Sequence, residues 1–314
     1  MIPFTGDVRR SIPQALRAVL VAAVLLTMGC KRSSAPTPRQ VPPSAVSVKM
    51  DRGSIVITTP GAEFAVLPSG YVRAVLVTGG NRLTLDDPAS NRAVSNERLL
   101  VDGKEVRDFV LDLAHAKVSD SSGLLGARGR KVEISGRSKA SPVEETLAVE
   151  VYDDFPNLAL TRLSLKNVGS GELRLGQVAT QHHRLNAALA EPAAPPYRLW
   201  SFQGTSYAWG RDSVMRISRN FSQPNVMGAI SPSGAGGGIP VVAFWTASVG
   251  VALGHVEALP LVLSLPVKVE RDQRIGVSLD LDAQATLRPG EVYSTPRSFV
   301  AVYAGDFYEP LALY

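Results

Sequence analysis

Cysteine is nearly absent from this 314-residue sequence, which has a single one at position 30. One cysteine cannot form an internal disulfide, so a folded domain must be stabilised by its hydrophobic core. Histidine is scarce too, at four residues, and no Cys/His spacing typical of a metal site is present. A Ser-His-Asp motif and a glycine-rich phosphate loop are also missing. The sequence therefore predicts neither a metal nor a cofactor.

Amphipathic helix patterns are likewise missing between residue 46 and the C-terminal region, where apolar and polar residues alternate instead. Such alternation, clear at 147–151 and 275–281, places one face of a strand on a core. Turn residues such as Asp102-Gly103 separate the segments. Without crossover helices, this pattern predicts an all-β domain that forms a large antiparallel β-sandwich. Further strands are expected at 54–58, 63–67, 71–77, 109–113, 132–135, 158–167, 173–178, 241–247, 250–256, 261–268 and 298–303.

The four leucines of the segment 158–167 fall into two alternating phases, and the change lies between Leu160 and Leu163. A β-bulge inserts one extra residue and so shifts the phase of a strand. A bulge near Thr161 would therefore return all four leucines to one face.

The N-terminal region has the features of an export signal. Three arginines precede an uncharged run at 18–28, which is too short to span a membrane and suits the apolar part of a secretory signal. Cys30 follows a glycine just after this run, which resembles a bacterial lipoprotein signal, although Thr27 replaces the usual leucine. An ordinary secretory signal with an incidental cysteine is the alternative. We expect a signal peptide at 1–29, and a lipidated cysteine with a Pro/Ser-rich tether at 30–45.

The net charge of +5 comes from this same region. Residues 1–45 contain six Lys or Arg and one acid, so 27 basic and 27 acidic side chains remain in 46–314. A neutral folded part lacks the basic footprint of nucleic-acid binding. Lys31 and Arg32 would lie beside anionic lipid and favour attachment. We therefore expect an exported bacterial lipoprotein, anchored to a membrane in the periplasm or at the cell surface.

A helix is predicted at the end of the sequence. Asp306 is a typical N-cap, Glu309 follows three residues later, and Pro310 fits the first helical turn. About eight residues remain, fewer than the ~12 that an isolated helix needs in water. We expect the sandwich at 46–305 and, at 306–314, the start of a helix that leads into a further domain. A fraying tail is the alternative.

An aromatic and glycine-rich stretch at 200–212 is the clearest candidate for ligand binding. It contains two of the three tryptophans, and an arginine and an aspartate end it. Aromatic rings stack on sugar C–H faces, and charged groups hydrogen-bond to hydroxyls. Packing of Trp200 and Trp209 in a core or between domains is the alternative. The predicted substrate-binding residues are Tyr207, Trp209, Arg211 and Asp212.

Other polar residues are weaker candidates. The runner-up site residues are Asp86, Asp87, His255 and Glu257. The histidine and the glutamate of this set share one strand face and could form an acid–base pair, whereas simple satisfaction of nearby polar groups is the alternative. His182 and His183 point to opposite faces of a strand, so they cannot both bind one metal.

Several short motifs follow one another along the chain. They are VYDDFPN at 151–157 with the strand after it, the stretch 200–212, GGGIPVV at 236–242, GHVE at 254–257, LRPGE at 287–291, FVAVY at 299–303 and GDF at 305–307. In this order they resemble the N-terminal domain of glycoside hydrolase family 36, the α-galactosidases or melibiases. The resemblance covers roughly residues 50–314 and rests on the order of the motifs rather than on any single one.

The resemblance implies a β-supersandwich of the galactose-mutarotase type, followed by a (β/α)8 barrel that carries both catalytic aspartates. Neither aspartate can be placed in this chain, because none of its three tryptophans is followed by aspartate as the expected Lys-Trp-Asp motif requires. We therefore expect no catalytic residue here. In the family the sandwich packs on the barrel, helps to assemble oligomers and lends residues to the rim of the sugar pocket.

Three functions are open at this point. The first, which we prefer, is the non-catalytic N-terminal domain of an exported α-galactosidase-like hydrolase, with a galactoside or other saccharide, its own barrel and a second copy as partners. The second is a free-standing carbohydrate-binding lipoprotein. The third is a mutarotase-like aldose epimerase that uses His255, Glu257 and either His182 or His183.

Overall fold

The protein is described by a computed structural model that covers residues 43–88, 95–123, 125–206, 213–227, 230–231, 234–235, 237–256 and 262–314. Most of its regular structure is strand. The strands, in chain order, are β1 Ser47–Asp51, β2 Ser54–Thr58, β3 Ala62–Val66, β4 Val72–Thr78, β5 Asn81–Leu83, β6 Arg98–Val101, β7 Lys104–Val106, β8 Lys117–Gly123, β9 Gly126–Arg137, β10 Val143–Tyr152, β11 Phe155–Asn167, β12 Leu173–Leu185, β13 Trp200–Ser206, β14 Val214–Arg216, β15 Ser222–Gln223, β16 Val226–Met227, β17 Ile230–Ser231, β18 Gly234–Ala235, β19 Gly237–Trp245, β20 Gly250–His255, β21 Leu263–Ser264, β22 Val267–Val269, β23 Ile275–Leu287, β24 Val292–Ser294 and β25 Ser298–Tyr303.

Helical structure in the described ranges is limited to three short pieces. Two are 3-10 turns, and the third is an α-helix, α1. None of them has the length and apolar character that a membrane crossing needs. They lie at Leu113–His115, Ala187–Leu189 and, for α1, Tyr308–Leu313.

The described strands form three large antiparallel sheets and one two-stranded ribbon of β17 and β18. Strands β1 to β5 follow one another in a five-stranded meander. A ten-stranded sheet has the order β14-β13-β19-β20-β25-β11-β10-β9-β8, with β24 also paired to β11. An eight-stranded sheet has the order β15-β22-β23-β12-β6-β7, with β21 joining β16 to β23. The predicted all-β fold with large antiparallel sheets is confirmed.

The main hydrophobic core draws side chains from all three large sheets. Ile57 and Phe64 come from the meander, Val149 and Phe244 from the ten-stranded sheet, and Val277 from the eight-stranded sheet. All five are fully buried. Complete burial of such side chains stabilises the fold by about 1.5–3 kcal/mol each, so this core can hold the domain without a disulfide.

The ten-stranded sheet is apolar on both faces, and this corrects the bulge predicted near Thr161. The register of β11 with β10 runs without a shift from Ala159 to Asn167. Leu163 packs in a core with residues of β6 and β12, whereas Leu160 packs with Phe299 in a cluster on the other face, which we call the outer cluster. The change of phase therefore marks a change in which face is buried, rather than an inserted residue.

Two strand predictions were wrong. The segment 109–113 is not a strand, because its backbone N–H groups bond to separate partners: that of Leu111 to Pro68 and that of Asp112 to Ser135. The segment predicted at 261–268 contains two short strands, β21 and the start of β22. Pro266 lies between them and has no N–H to donate to a ladder.

The predicted C-terminal helix is present but begins at Tyr308. The carboxylate of Asp306 accepts a hydrogen bond from the Tyr308 N–H at 3.0 Å, although Phe307 is the N-cap residue. The Phe307 ring stacks on Phe202 with a centroid distance of 5.5 Å, and Leu311 packs on the outer cluster. Helix α1 therefore covers apolar surface of the ten-stranded sheet.

Two glutamates have buried carboxyl groups without hydrogen-bond partners among the described residues. They are Glu97, just before β6, and Glu145, on the inner face of β10. Burial raises the pKa of Glu97 to about 8. Burial, with the nearby Glu97, also raises the pKa of Glu145. Gly70 makes room for the Glu97 side chain, since a Cβ on it would lie 2.2 Å from Glu97 Oε1.

We predict that Glu97 makes the protein less stable as the pH rises from about 4.5 to about 8. The ordinary pKa of 4.5 applies to the unfolded chain, so the folded chain holds the extra proton across this window and loses it only near pH 8. Glu97→Gln removes this titration. It should reduce the loss of unfolding free energy between pH 5 and pH 9 by at least about 1.4 kcal/mol, the value of one pKa unit.

Urea denaturation at the two pH values measures this difference. Glu105→Gln is the matched control, because the Glu105 side chain is exposed beside β6 on β7. An equal pH dependence in wild type and Glu97→Gln would contradict the assignment.

Candidate functional site

The four predicted substrate-binding residues, Tyr207, Trp209, Arg211 and Asp212, lie outside the described residues, as does Glu257. The start of the same stretch is described, because Trp200 begins β13. The binding role of these four residues therefore stays a prediction. The structure does show which side chains surround Trp200.

Strand pairing puts three large side chains on one face at the edge of the ten-stranded sheet. Trp200 of β13 lies opposite Trp245 of β19 and opposite Arg216 of β14. The Arg216 guanidinium carbon lies 4.8 Å from the centre of the Trp200 ring, which is a cation–π contact. Trp245 is buried and packs near Phe307, with ring centroids 5.9 Å apart. Trp200 is 40% exposed, so it is not a core residue of the described fold.

Trp200 forms one wall of an open pocket of about 620 Å³, which we call the tryptophan pocket. Its polar lining residues include Arg198, Arg216 and Glu191. The Glu191 carboxylate accepts a long hydrogen bond of 3.5 Å from the Ala247 N–H. Among the described residues, neither arginine has an ion-pair partner.

The chemistry of the tryptophan pocket suits binding rather than hydrolysis. An exposed indole face offers stacking, and two guanidinium groups offer hydrogen-bond donors to hydroxyls. A retaining glycosidase needs two carboxyl groups about 5 Å apart. The described lining contains one, that of Glu191.

The runner-up residue Asp86 is part of the buried framework. Its carboxylate accepts hydrogen bonds from the Tyr71 hydroxyl at 2.9 Å and the Ala74 N–H at 2.6 Å, and it contacts His183 Nδ1 at 3.0 Å. Burial, followed by the charge of Asp86, raises the pKa of Tyr71. Since Ala74 is in β4 and His183 is in β12, Asp86 joins the meander to the eight-stranded sheet.

The neighbouring Asp87 lies nearer the surface. Its carboxylate accepts hydrogen bonds from the Asn186 amide at 2.8 Å and from the Arg274 guanidinium. Partial burial raises the pKa of Asp87, but the hydrogen bonds of Arg274 and Asn186 outweigh this effect and lower it. Asp86 and Asp87 therefore hold neighbouring strands together, and neither lines the tryptophan pocket.

The histidines behave as the alternation predicted. His183 points inward, where Nδ1 contacts Asp86 and Nε2 contacts Gln181 Oε1 at 3.0 Å. His182 points to the opposite face, 3.5 Å from Glu270. His255 is buried in β20. Because both ring nitrogens of His183 are bonded, it is a structural residue rather than a free base.

No group of three or more His, Cys, Asp or Glu side chains within the described residues is placed to hold a metal ion. Sequence reasoning missed Arg198, Arg216 and Glu191 as pocket residues. Their proximity to Trp200 comes from strand pairing and from the chain around 191, neither of which leaves a local motif.

Comparison with known proteins shows first what class of fold this is. No known family and no curated protein matches the sequence. Solved structures do match, and they are enzymes that contain the same kind of large β-sandwich. The predicted sandwich fold is the one found in part of the α-galactosidases of glycoside hydrolase family 36.

Three of these structures represent the group. The galactosidase domain of an α-galactosidase-sucrose kinase, AgaSK, is 14% identical with a TM-score of 0.60, over 82% of this chain and 42% of that one. The family 36 α-galactosidase AgaB of Geobacillus stearothermophilus is 15% identical with a TM-score of 0.55, over 82% and 41%. The α-galactosidase of Lactobacillus brevis is 10% identical with a TM-score of 0.52, over 83% and 40%. This chain thus matches about two fifths of each.

Proposed function

We propose that this chain is the non-catalytic sandwich domain of an exported α-galactosidase-like glycoside hydrolase and supports a catalytic barrel that follows it. The observation that carries the proposal is the partial overlap: 82% of this chain matches 42% of a galactosidase domain. The order of sequence motifs along 151–307 supports the same group of enzymes. The described lining of the tryptophan pocket contains one carboxylate, that of Glu191, which agrees with a supporting role.

The nucleotide sequence beyond the codon for Tyr314 tests this proposal directly. We expect an open reading frame that encodes a barrel with two catalytic aspartates, one of them in a Lys-Trp-Asp-type motif. We also expect the chain of residues 1–314 to release no nitrophenol from p-nitrophenyl α-D-galactoside, because hydrolysis needs two carboxyl groups and the described lining of the tryptophan pocket contains only that of Glu191. A stop codon with no barrel after it, or galactosidase activity of this chain, would overturn the proposal.

The proposed location is a bacterial membrane surface, with Cys30 as the lipid attachment site. Cys30→Ala should abolish labelling by a radioactive fatty acid and move the protein from the membrane fraction to the soluble fraction, because the thiol carries the lipid. Thr27→Leu is the matched control, since it restores the usual signal residue and should retain labelling. Unchanged labelling of Cys30→Ala would refute lipidation at this residue.

Free carbohydrate binding is a second candidate function, and the exposed Trp200 beside Arg216 favours it. Titration with methyl α-D-galactoside should change tryptophan fluorescence in a saturable way. Arg216→Ala should weaken this binding about tenfold, because it removes a charged donor next to the indole. Arg219→Ala, in the same segment but outside the pocket lining, is the control. A flat fluorescence response to the galactoside would count against this function.

A further inference from the structure

The outer face of the eight-stranded sheet contains a second concavity, which is lined largely by polar and charged side chains. Along β23, Val277 and Leu279 point into the main core, so the alternate residues Gly276, Ser278 and Asp280 face away from it. These outward residues are nevertheless buried, and Asp280 is only 7% exposed. Residues on the outer side of a sheet are buried only where other side chains cover them. Side chains of neighbouring strands therefore surround this part of β23.

These neighbours form a trough of about 340 Å³, which we call the outer trough. Arg98 of β6, His182 of β12 and Lys268 of β22 line it together with Ser278 and Asp280. Strand register fixes the arrangement: His182 is opposite Ser278, and Ala179 is paired with both Asp280 and Arg98. The trough is at the low end of the volumes typical of small-molecule sites, about 300–1,000 Å³.

Asp280 is the unusual member of the outer trough. Its Oδ2 lies 3.5 Å from the Arg98 guanidinium, while its Oδ1 is buried and has no hydrogen-bond partner among the described residues. The side chain is more than nine-tenths buried. Burial raises the pKa of this carboxyl, although Ser278, Arg98 and His182 oppose the shift. A buried acceptor without a partner destabilises the fold, so a ligand that donates to Oδ1 would recover this energy.

The other polar groups restrict which ligand fits. The Glu270 carboxylate contacts His182 and the Arg184 guanidinium, so its negative charge is compensated. An anion would meet the Asp280 carboxyl, and a cation would meet Arg98 and Lys268, so either would bring a like charge into the trough. Hydroxyl groups both donate and accept, so they match a lining that offers an acceptor beside several donors.

We propose that the outer trough is a binding site for a neutral polyhydroxylated ligand of monosaccharide size, with Asp280 accepting from a hydroxyl and Arg98 donating to the adjacent one. The site shares no lining residue with the tryptophan pocket. It does not depend on the function proposed for the chain as part of a hydrolase.

Isothermal titration calorimetry of the full chain with D-galactose and D-glucose tests the proposal. Wild type should give a saturable heat with at least one of these sugars. Asp280→Asn should weaken binding roughly ten- to hundredfold, as expected for loss of a charged acceptor. Asp282→Asn is the matched control, because Asp282 is the next outward residue of β23, is exposed and does not line the trough. It should bind as wild type does.

Thermal unfolding shows whether each variant is folded. If Asp280→Asn does not fold, Arg98→Gln replaces it, since the Arg98 side chain is more exposed and the same loss is expected. No saturable heat with either sugar, equal binding by wild type and the trough variants, or tighter binding of D-galacturonate than of both neutral sugars would each overturn the proposal. Tryptophan fluorescence separates the two sites, because Trp200 lines the tryptophan pocket and neither Trp200 nor Trp245 lines the outer trough.

Discussion

The two-sided burial of the ten-stranded sheet is the constraint on which the rest of the structure depends. Its inner face, with Val149 and Phe244, forms the main core against the other sheets. Its outer face, with Leu160 and Phe299, is covered in part by Phe307 and the helix that follows. A sheet that is apolar on both sides needs cover on both sides, since exposed apolar surface of that size is costly in water. The C-terminal helix is therefore part of the sandwich's packing.

The buried carboxyl groups of this protein differ in how far their neighbours compensate them. Asp86 receives partners from two sheets, so its charge is compensated and it holds those sheets together. Glu97 and Glu145 have none among the described residues, and burial raises the pKa of both carboxyl groups, so they destabilise the fold increasingly as the pH rises. Asp280 is intermediate, with one oxygen near Arg98 and one free, and it faces a concavity.

The comparison with solved structures and the chain's own residues give different kinds of information about function. Similarity at 10–15% identity establishes a shared fold and leaves chemistry open. The chain's own residues limit that chemistry further, since the described lining of the tryptophan pocket combines two indoles, two arginines and one carboxylate. This is a set that binds hydroxyls and does not by itself split a glycosidic bond. The supporting role that we propose is consistent with both observations.

Alternation along the sequence was enough to predict the all-β class, the strand at 298–303 and the opposite orientations of His182 and His183, because a strand repeats every two residues whatever surrounds it. Alternation wrongly predicted a strand at 109–113 and a bulge near Thr161. Apolar residues lie on whichever side of the chain other elements cover, and alternation alone does not show which side that is. Only the tertiary structure brought Arg216 beside Trp200 and Arg98 beside Asp280. Arg98 and Asp280 lie 182 residues apart, and Trp200 meets Arg216 only through the register in which β13 pairs with β14, so no local pattern encodes either contact.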